Sequence, residues 1–412
     1  MDSHGAPRTS RIARTEEHRR QDTDKINKYR ELEASIRLQA DAQKYDDNLF
    51  QLTSKLLRLN PEYYTIWNVR RRCLIYGLSS APSHGSSPSK ESLSTSPQCI
   101  TNPCSDSSSP TSLDTIPQSQ DSQIAGKNGI TVDSVEGNVE DNVEAHIDTI
   151  QNELSFTIPL LVEFPKCYWI WKYRKWLLEQ ANTRLPPKAA RSIWETELGL
   201  ASKMLAKDRR NFHAWGYRRY VVAALENPLL GGRSMVEDEF AYTTKMIRGD
   251  LSNFSAWHSR SQLLLRLLEE RGADDAARKA FLDEELGLIQ DALNVGPDDQ
   301  SLWYYHQYMM SQIVQPSEKS TIAPALTTSD RIAYVRGEID NIKDLLEDYA
   351  DTKWIYEALL EYTIALKHLG QNEGEELDVE DPKQWLAKVR ALDPMRAGRW
   401  NDIEKQLGSN QH

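Results

Sequence analysis

Cysteine is scarce in this 412-residue sequence. There are four, Cys73, Cys99, Cys104 and Cys167, with no CxxC pair and no neighbouring Cys/His cluster. That excludes a disulfide scaffold and a zinc finger. Long apolar runs are also missing, and none approaches the ~18 residues a bilayer span requires. The opening MDSHGAPRTSRIARTEEHRR lacks an apolar core, so no secretory signal is expected, and Glu16, Glu17 and Asp22 break any transit-peptide character. A cytoplasmic or nuclear location is the expectation. Neither a dinucleotide-binding glycine pattern nor a P-loop occurs, and no segment is rich in strand signals. Acidic residues outnumber basic ones, for a net charge of -11, which argues against a broad nucleic-acid-binding face.

Aromatic residues are nearly absent from one segment, residues 79–146, where SSAPSHGSSPSKESLSTSPQCITNPCSDSSSPTS is serine-rich and studded with proline. Such a stretch buries too little apolar surface to offset its ordering entropy, so it is expected to be a disordered insertion. The expected organisation is a flexible segment over 1–25, a first helical repeat over 26–78, the insertion over 79–146, and repeats two to seven over 147–408.

Tryptophan carries that reading. Trp67, Trp171, Trp215, Trp257, Trp303, Trp354 and Trp400 recur, and after the insertion their spacings are 44, 42, 46, 51 and 46 residues. Periods of this size mean stacked helical pairs, so the chain is expected to be an all-α solenoid. Three residues before Trp in the first four copies stand Tyr64, Tyr168, Phe212 and Phe254, and three after stand Arg70, Arg174, Arg218 and Arg260. This spacing predicts one helical stripe of aromatic, Trp and Arg. The later copies lose it, since Gln300 and His306 flank Trp303, and Asp351 and Glu357 flank Trp354.

Seven residues before Trp, Asn60, Asp208, Asp250 and Asp393 read as helix N-caps, and Pro61, Pro165, Pro297 and Pro394 are expected at the first helical position. Upstream, Leu52, Phe156, Leu200, Tyr242, Leu288, Ile339 and Trp385, with pairs such as Leu56–Leu57 and Met204–Leu205, mark the buried face of a preceding helix. Pro159 is expected to kink the first helix of copy two. The aromatic and tryptophan positions are read as structural. The four arginines are expected to pair with acids or carbonyls in the stack or at a dimer face, and His258 and His306 have no metal-ligand partner at suitable spacing.

One position does not fit a purely structural pattern. Five residues before Trp the copies carry Glu62, Lys166, Arg210, Ser252, Asp298, Tyr349 and Met395, basic only in copies two and three. Read as the first turn of a helix, that position disfavours a cation by a few tenths of a kcal/mol. An anion held between the helix start and the lysine reverses the sign. A solvated surface lysine is the plain alternative.

With NPEYYTIWNVRR, FPKCYWIWKYRK and DRRNFHAWGYRRY at this spacing, the sequence resembles protein prenyltransferase α subunits over about residues 26–78 and 147–405. The resemblance implies a right-handed crescent of about seven helical-hairpin repeats, similar to tetratricopeptide superhelices. LSNFSAWHSRS, PDDQSLWYYHQYM and DPMRAGRW look like the Rab-type subunit, in its short form without immunoglobulin-like or leucine-rich domains. The farnesyl type carries a glutamine where Trp169 stands here, which weakens that alternative and the related CaaX-directed type I enzyme. A non-catalytic helical-repeat scaffold is the other alternative, but such repeats run nearer 34 residues and lack the stripe.

What the resemblance implies for chemistry is specific. An obligate β subunit carries the zinc, and a magnesium requirement stays open. The pair moves geranylgeranyl from geranylgeranyl diphosphate to C-terminal cysteines of Rab GTPases presented by a Rab escort protein. Lys166 matches the family lysine that faces the diphosphate, with Tyr168 and Arg210 as supporting residues. Trp67, Trp171, Trp215, Trp257 and Trp303 are its structural repeat positions, and no metal is implied on this chain.

Overall fold

The computed structural model describes residues 15–79, 133–314, 321–373 and 382–409. Among them there is no β-strand. The chain falls into two compact units, Met1–Thr149 and Ile150–His412.

The first unit holds α1 (Glu16–Asp41), α2 (Asp47–Leu59) and α3 (Tyr64–Ser79). α1 takes in residues 16–25, which were expected to be flexible. Its start is legible in hindsight: the Thr15 hydroxyl accepts from the His18 N–H at 3.3 Å, and Glu16 and Glu17 in the first turn complement the helix dipole. Polar bonds hold α1 to the α2–α3 turn, with the Tyr63 hydroxyl donating to Glu33 at 2.7 Å and Asn60 Nδ2 to the Tyr29 hydroxyl at 3.1 Å.

α4 (Asp133–Glu163) begins inside the expected insertion, where residues 133–146 have one serine and no proline. The rest of the expected disorder, 80–132, lies outside the described residues. α4 runs through Pro159 unbroken. The second unit continues with α5 (Tyr168–Arg184), α6 (Pro187–Lys207), α7 (Phe212–Leu225), α8 (Val236–Gly249), α9 (Phe254–Ser261) and α10 (Leu264–Glu270). After these come α11 (Asp275–Val295), α12 (Gln300–Val314), α13 (Thr328–Asp348), α14 (Lys353–Glu373), α15 (Lys383–Leu392) and α16 (Ala397–Ser409). This is the all-α repeat solenoid that the tryptophan period predicts.

Each pair closes the same way. Trp67, Trp171, Trp215, Trp257 and Trp303 are all buried, and each indole N–H donates to the carbonyl six residues earlier, at 2.8, 2.9, 2.9, 2.8 and 2.6 Å. In copy six the role passes to Tyr356, whose hydroxyl donates to the Ala350 carbonyl at 2.7 Å, while Trp354 is only half-buried. The repeat is therefore centred on Tyr356 rather than on Trp354, because a phenol hydroxyl makes the same bond as an indole N–H.

The helix starts differ from the sequence reading. Asn60, Asp208, Asp250 and Asp393 are C-caps of the preceding helices, although Asp393 is also the N-cap of a short 3-10 helix, Pro394–Arg396, with Pro394 at its start as expected. The second helices of the first four copies begin four residues after the turn opens, at Tyr64, Tyr168, Phe212 and Phe254. Between lies a β-turn, closed by Tyr63 N–H to Asn60 O at 3.4 Å, Cys167 N–H to Phe164 O at 3.0 Å, and Asn211 N–H to Asp208 O at 3.2 Å. Asn or Asp followed by Pro is also the signature of the first two positions of such a turn, and the turn is what it specifies here. The true caps are Asn211 and Asn253: each side-chain oxygen accepts a first-turn N–H, and each Nδ2 donates back to the preceding repeat, to Pro165 O at 3.1 Å and Arg209 O at 2.8 Å.

The stripe also divides. Trp and Arg are buried, but Tyr64, Tyr168, Phe212 and Phe254 are exposed. In the second unit the arginines join one repeat to the next through carboxylates: Arg174 Nε donates to Glu197 at 2.9 Å, Arg218 to Glu239 at 2.9 Å and Arg260 to Glu285 at 2.8 Å. Tyr217 and Tyr305 hydroxyls, each at 2.5 Å, donate to the same Glu197 and Glu285. In copy five His306 takes the arginine's place, with Nε2 2.8 Å from Glu338 and Nδ1 2.7 Å from the Tyr362 hydroxyl. The stripe that looked lost there is kept by a histidine.

Candidate functional site

Lys166 sits at the third position of the turn Phe164–Cys167, two residues ahead of α5, not inside the first helical turn as the sequence reading placed it. The turn is held firmly. The Pro165 carbonyl accepts both the Trp171 indole at 2.9 Å and Asn211 Nδ2 at 3.1 Å. Lys166 itself is exposed, and no carboxylate, carbonyl or ring among the described residues engages its ammonium group. Behind it stands Cys167, the α5 N-cap, whose side chain makes no capping hydrogen bond, whereas Asn211 and Asn253 cap α7 and α9 with theirs. A cation with no ion-pair partner among the described residues thus stands ahead of a helix whose N-cap side chain makes no capping hydrogen bond. Together they favour an anion.

Tyr168 is the first residue of α5, about half exposed. Its ring stands edge-on to Trp169 at 5.3 Å and within 6.3 Å of the His213 ring on α7. His213 was not singled out from sequence. It lies two residues before Trp215, and the only signal was an imidazole beside Phe212 in the repeat next to Lys166.

Arg210 occupies the equivalent turn position one repeat on, but it is not free. Its Nε and Nη2 donate to the two Asp250 oxygens, both at 2.8 Å. These bonds from Arg210, with the added pull of Arg209, hold the Asp250 carboxyl below its usual range. The structure therefore does not join Arg210 to Lys166 as a second open cation, because its charge is spent on a carboxylate of its own chain. The five repeat tryptophans lie in the core and present no group to this surface.

No group of three or more His, Cys, Asp or Glu side chains among the described residues is placed to hold a metal ion. His258 lies against Phe254, with ring centroids 6.0 Å apart, and its pKa is lowered by partial burial and then by the charge of Arg219. No described helix is long and apolar enough to cross a membrane.

The repeats match a known family pattern, described as the protein prenyltransferase alpha subunit repeat, at residues 46–76, 150–181, 194–225, 236–267 and 282–313. The chain is similar to the geranylgeranyl transferase type-2 subunit alpha of Schizosaccharomyces pombe, 28% identical over 219 residues, covering 52% of this chain and 63% of that one. It is also similar to the subunit of the same name from Candida albicans, 28% identical over 97% of both chains. A solved structure, Candida albicans protein geranylgeranyltransferase-I complexed with GGPP, superposes on 92% of this chain with a TM-score of 0.51 and 17% sequence identity, a likeness of fold.

Proposed function

Since the chain belongs to the protein prenyltransferase α-subunit family, we propose that it is the α half of a type II geranylgeranyltransferase, which with a β subunit moves geranylgeranyl from its diphosphate to C-terminal cysteines of Rab GTPases. The observation that carries the chemistry is the unengaged Lys166 ammonium on a fixed turn ahead of α5. A β-subunit zinc would supply a lowered thiol pKa to the substrate cysteine.

What this chain does follows from charge. As the carbon–oxygen bond to the diphosphate lengthens, negative charge grows on the leaving oxygen. Lys166 stands on a fixed turn with its ammonium unengaged, so it is free to meet that charge. Removing a group of this kind typically costs about 10²–10³ in rate. Tyr168, exposed beside Trp169 and near His213, would shape the entrance. Arg210, spent on Asp250, contributes to the stack instead.

The test is reconstitution. The purified chain alone transfers no lipid, and addition of its β subunit gives transfer to an escort-bound Rab protein from geranylgeranyl diphosphate. Preference for a CaaX peptide would move the pair to the type I or farnesyl class, and failure to bind any β subunit would leave a scaffold.

A further inference from the structure

The C-terminal halves of α6 and α8 carry no acid. Residues 199–207, GLASKMLAK, and 241–249, AYTTKMIRG, contribute Lys203, Lys207, Lys245 and Arg248, all exposed. None of these four side chains has an ion-pair or hydrogen-bond partner among the described residues. The two helix ends are fastened together. Arg209, exposed in the turn after α6, donates to the Gly249 carbonyl at the end of α8, and its own carbonyl accepts Asn253 Nδ2 at 2.8 Å. Lys203, Lys207, Arg209, Lys245 and Arg248 thus make one patch. The acids that follow in sequence are Asp208, the α6 C-cap, and Asp250, already engaged by Arg210.

Helix dipoles account for part of this. Lys207 and Arg248 lie in last turns, where a cation is favoured. They do not account for Lys203 and Lys245, nor for the copies that follow. Twelve residues before the side chain that closes each repeat, Lys203 and Lys245 in copies three and four give way to Asp291 and Asp344 in copies five and six. The last turn of α13 carries exposed Glu347 and Asp348, against its own dipole. The sign of this face is therefore set copy by copy and not by helix chemistry.

The composition of the patch decides what it fits. Lysine is depleted at protein interfaces, which centre on aromatic, methionine or arginine anchors in desolvated pockets. No large apolar side chain is exposed within residues 199–210 or 241–250, and Ala206 and Gly249 are what lies open among the cations. No exposed ring stands there to stack on a nucleobase. Ammonium groups on flexible stems suit a diffuse negative surface, and basic clusters of this size on helices match the anionic leaflet of a phospholipid bilayer. Screening over about 8 Å at physiological salt means that such a surface senses the patch laid against it rather than the net charge of -11.

We propose that this α6–α8 corner is a peripheral docking site for anionic phospholipid headgroups such as phosphatidylserine. The cations meet the headgroups and no side chain of the patch enters the acyl layer, so the contact is reversible and weakens with salt. It follows from charge alone and holds whether or not a β subunit binds. A geranylgeranylated product partitions into bilayers, so under the function proposed above the patch puts the chain at the surface its product enters.

The experiment is flotation of the purified full-length chain, alone and with its β subunit, on phosphatidylcholine vesicles with and without phosphatidylserine. Both forms should float with phosphatidylserine vesicles at low salt, stay behind with phosphatidylcholine alone, and release at high salt. Each basic side chain near an anionic surface contributes about fivefold and a reversal counts twice, so Lys245→Glu should weaken binding about 25-fold and Lys203→Glu/Lys245→Glu at least a hundredfold. Lys188→Glu, the same charge change at the other end of α6, should bind within about twofold of wild type. Matched circular-dichroism melts establish that each variant is folded, and Lys203→Gln/Lys245→Gln, expected to weaken binding about 25-fold, serves if the reversals do not fold. Failure of the wild-type chain to float overturns the proposal, and so does unchanged flotation of the double variant. A loss in Lys188→Glu equal to that in Lys245→Glu also overturns it, because net charge then sets the binding. Loss of flotation on adding the β subunit places the patch inside the heterodimer and overturns it too. Tighter binding of a short DNA duplex, weakened by the same double variant, would assign the patch to nucleic acid instead.

Discussion

Replacing Arg174 by Met isolates what the buried arginines do. Arg174 and Glu197 have side-chain exposures of 1 and 3%, and the guanidinium also donates to Thr157 and to the Leu154 carbonyl on α4. Its removal strands the Glu197 carboxylate in the core with the Tyr217 hydroxyl as a donor. Breaking a buried ion pair in this way typically costs about 3–5 kcal/mol, most of it the penalty of an uncompensated charge. For a unit of this size each kcal/mol lowers Tm by roughly 2–4 °C, so a fall on the order of 10 °C is expected by circular dichroism. The double variant Arg174→Met/Glu197→Gln removes the stranded charge and keeps an acceptor for Tyr217. It should recover more than half of the loss. If the single variant melts within about 2 °C of wild type, or the double variant loses the sum of both single changes, the pair does not act as a coupled unit.

Other consequences follow from the repeat geometry. Asn253→Ala removes both the α9 cap and the bond to the Arg209 carbonyl and should cost about 1–2 kcal/mol in urea melts, whereas Asn253→Asp keeps the cap and should cost less. Tyr356→Ala should destabilise more than Trp354→Ala despite the smaller ring, because Tyr356 fills the repeat's buried slot; the reverse order would restore Trp354 to that role. The Arg210–Asp250 pair sets a pH window. The Asp250 carboxyl titrates lower in the folded chain than unfolded, so its contribution is complete above the ordinary aspartate value near ~3.9 and fades as pH falls through the folded value. The stability gap between wild type and Arg210→Ala, at most about 1 kcal/mol for so exposed a pair, should therefore be present at neutral pH and vanish in strong acid.

The architecture was legible because its signal is periodic. Tryptophans at near-constant spacing, with Leu56–Leu57, Leu160–Leu161, Met204–Leu205 and Met246–Ile247 ten and eleven residues earlier, mark buried faces directly, and all eight of those side chains are buried. The misreadings share a cause: one residue pattern can serve two local structures. Asn60–Pro61 fits a helix cap and a β-turn equally, and the choice depends on where the preceding helix ends. Trp354 keeps the expected residue type two places from the position that counts. A glutamate column, Glu153, Glu197, Glu239 and Glu285, stands eighteen residues before Trp171, Trp215, Trp257 and Trp303, and Glu338 stands eighteen before Tyr356. Scattered among so many acids, it shows only once the arginines have named their partners. That Lys166 is unengaged while Arg210 is paired depends on Asp250, forty residues downstream of Arg210, and so needed the fold.

The central claim concerns one ammonium group, and single-turnover kinetics of the Lys166→Ala heterodimer test it most directly. The chemical step should slow by about 10²–10³ while β-subunit affinity and thermal stability stay at wild-type values. A rate within twofold of wild type would make Lys166 an ordinary surface lysine and contradict the assignment.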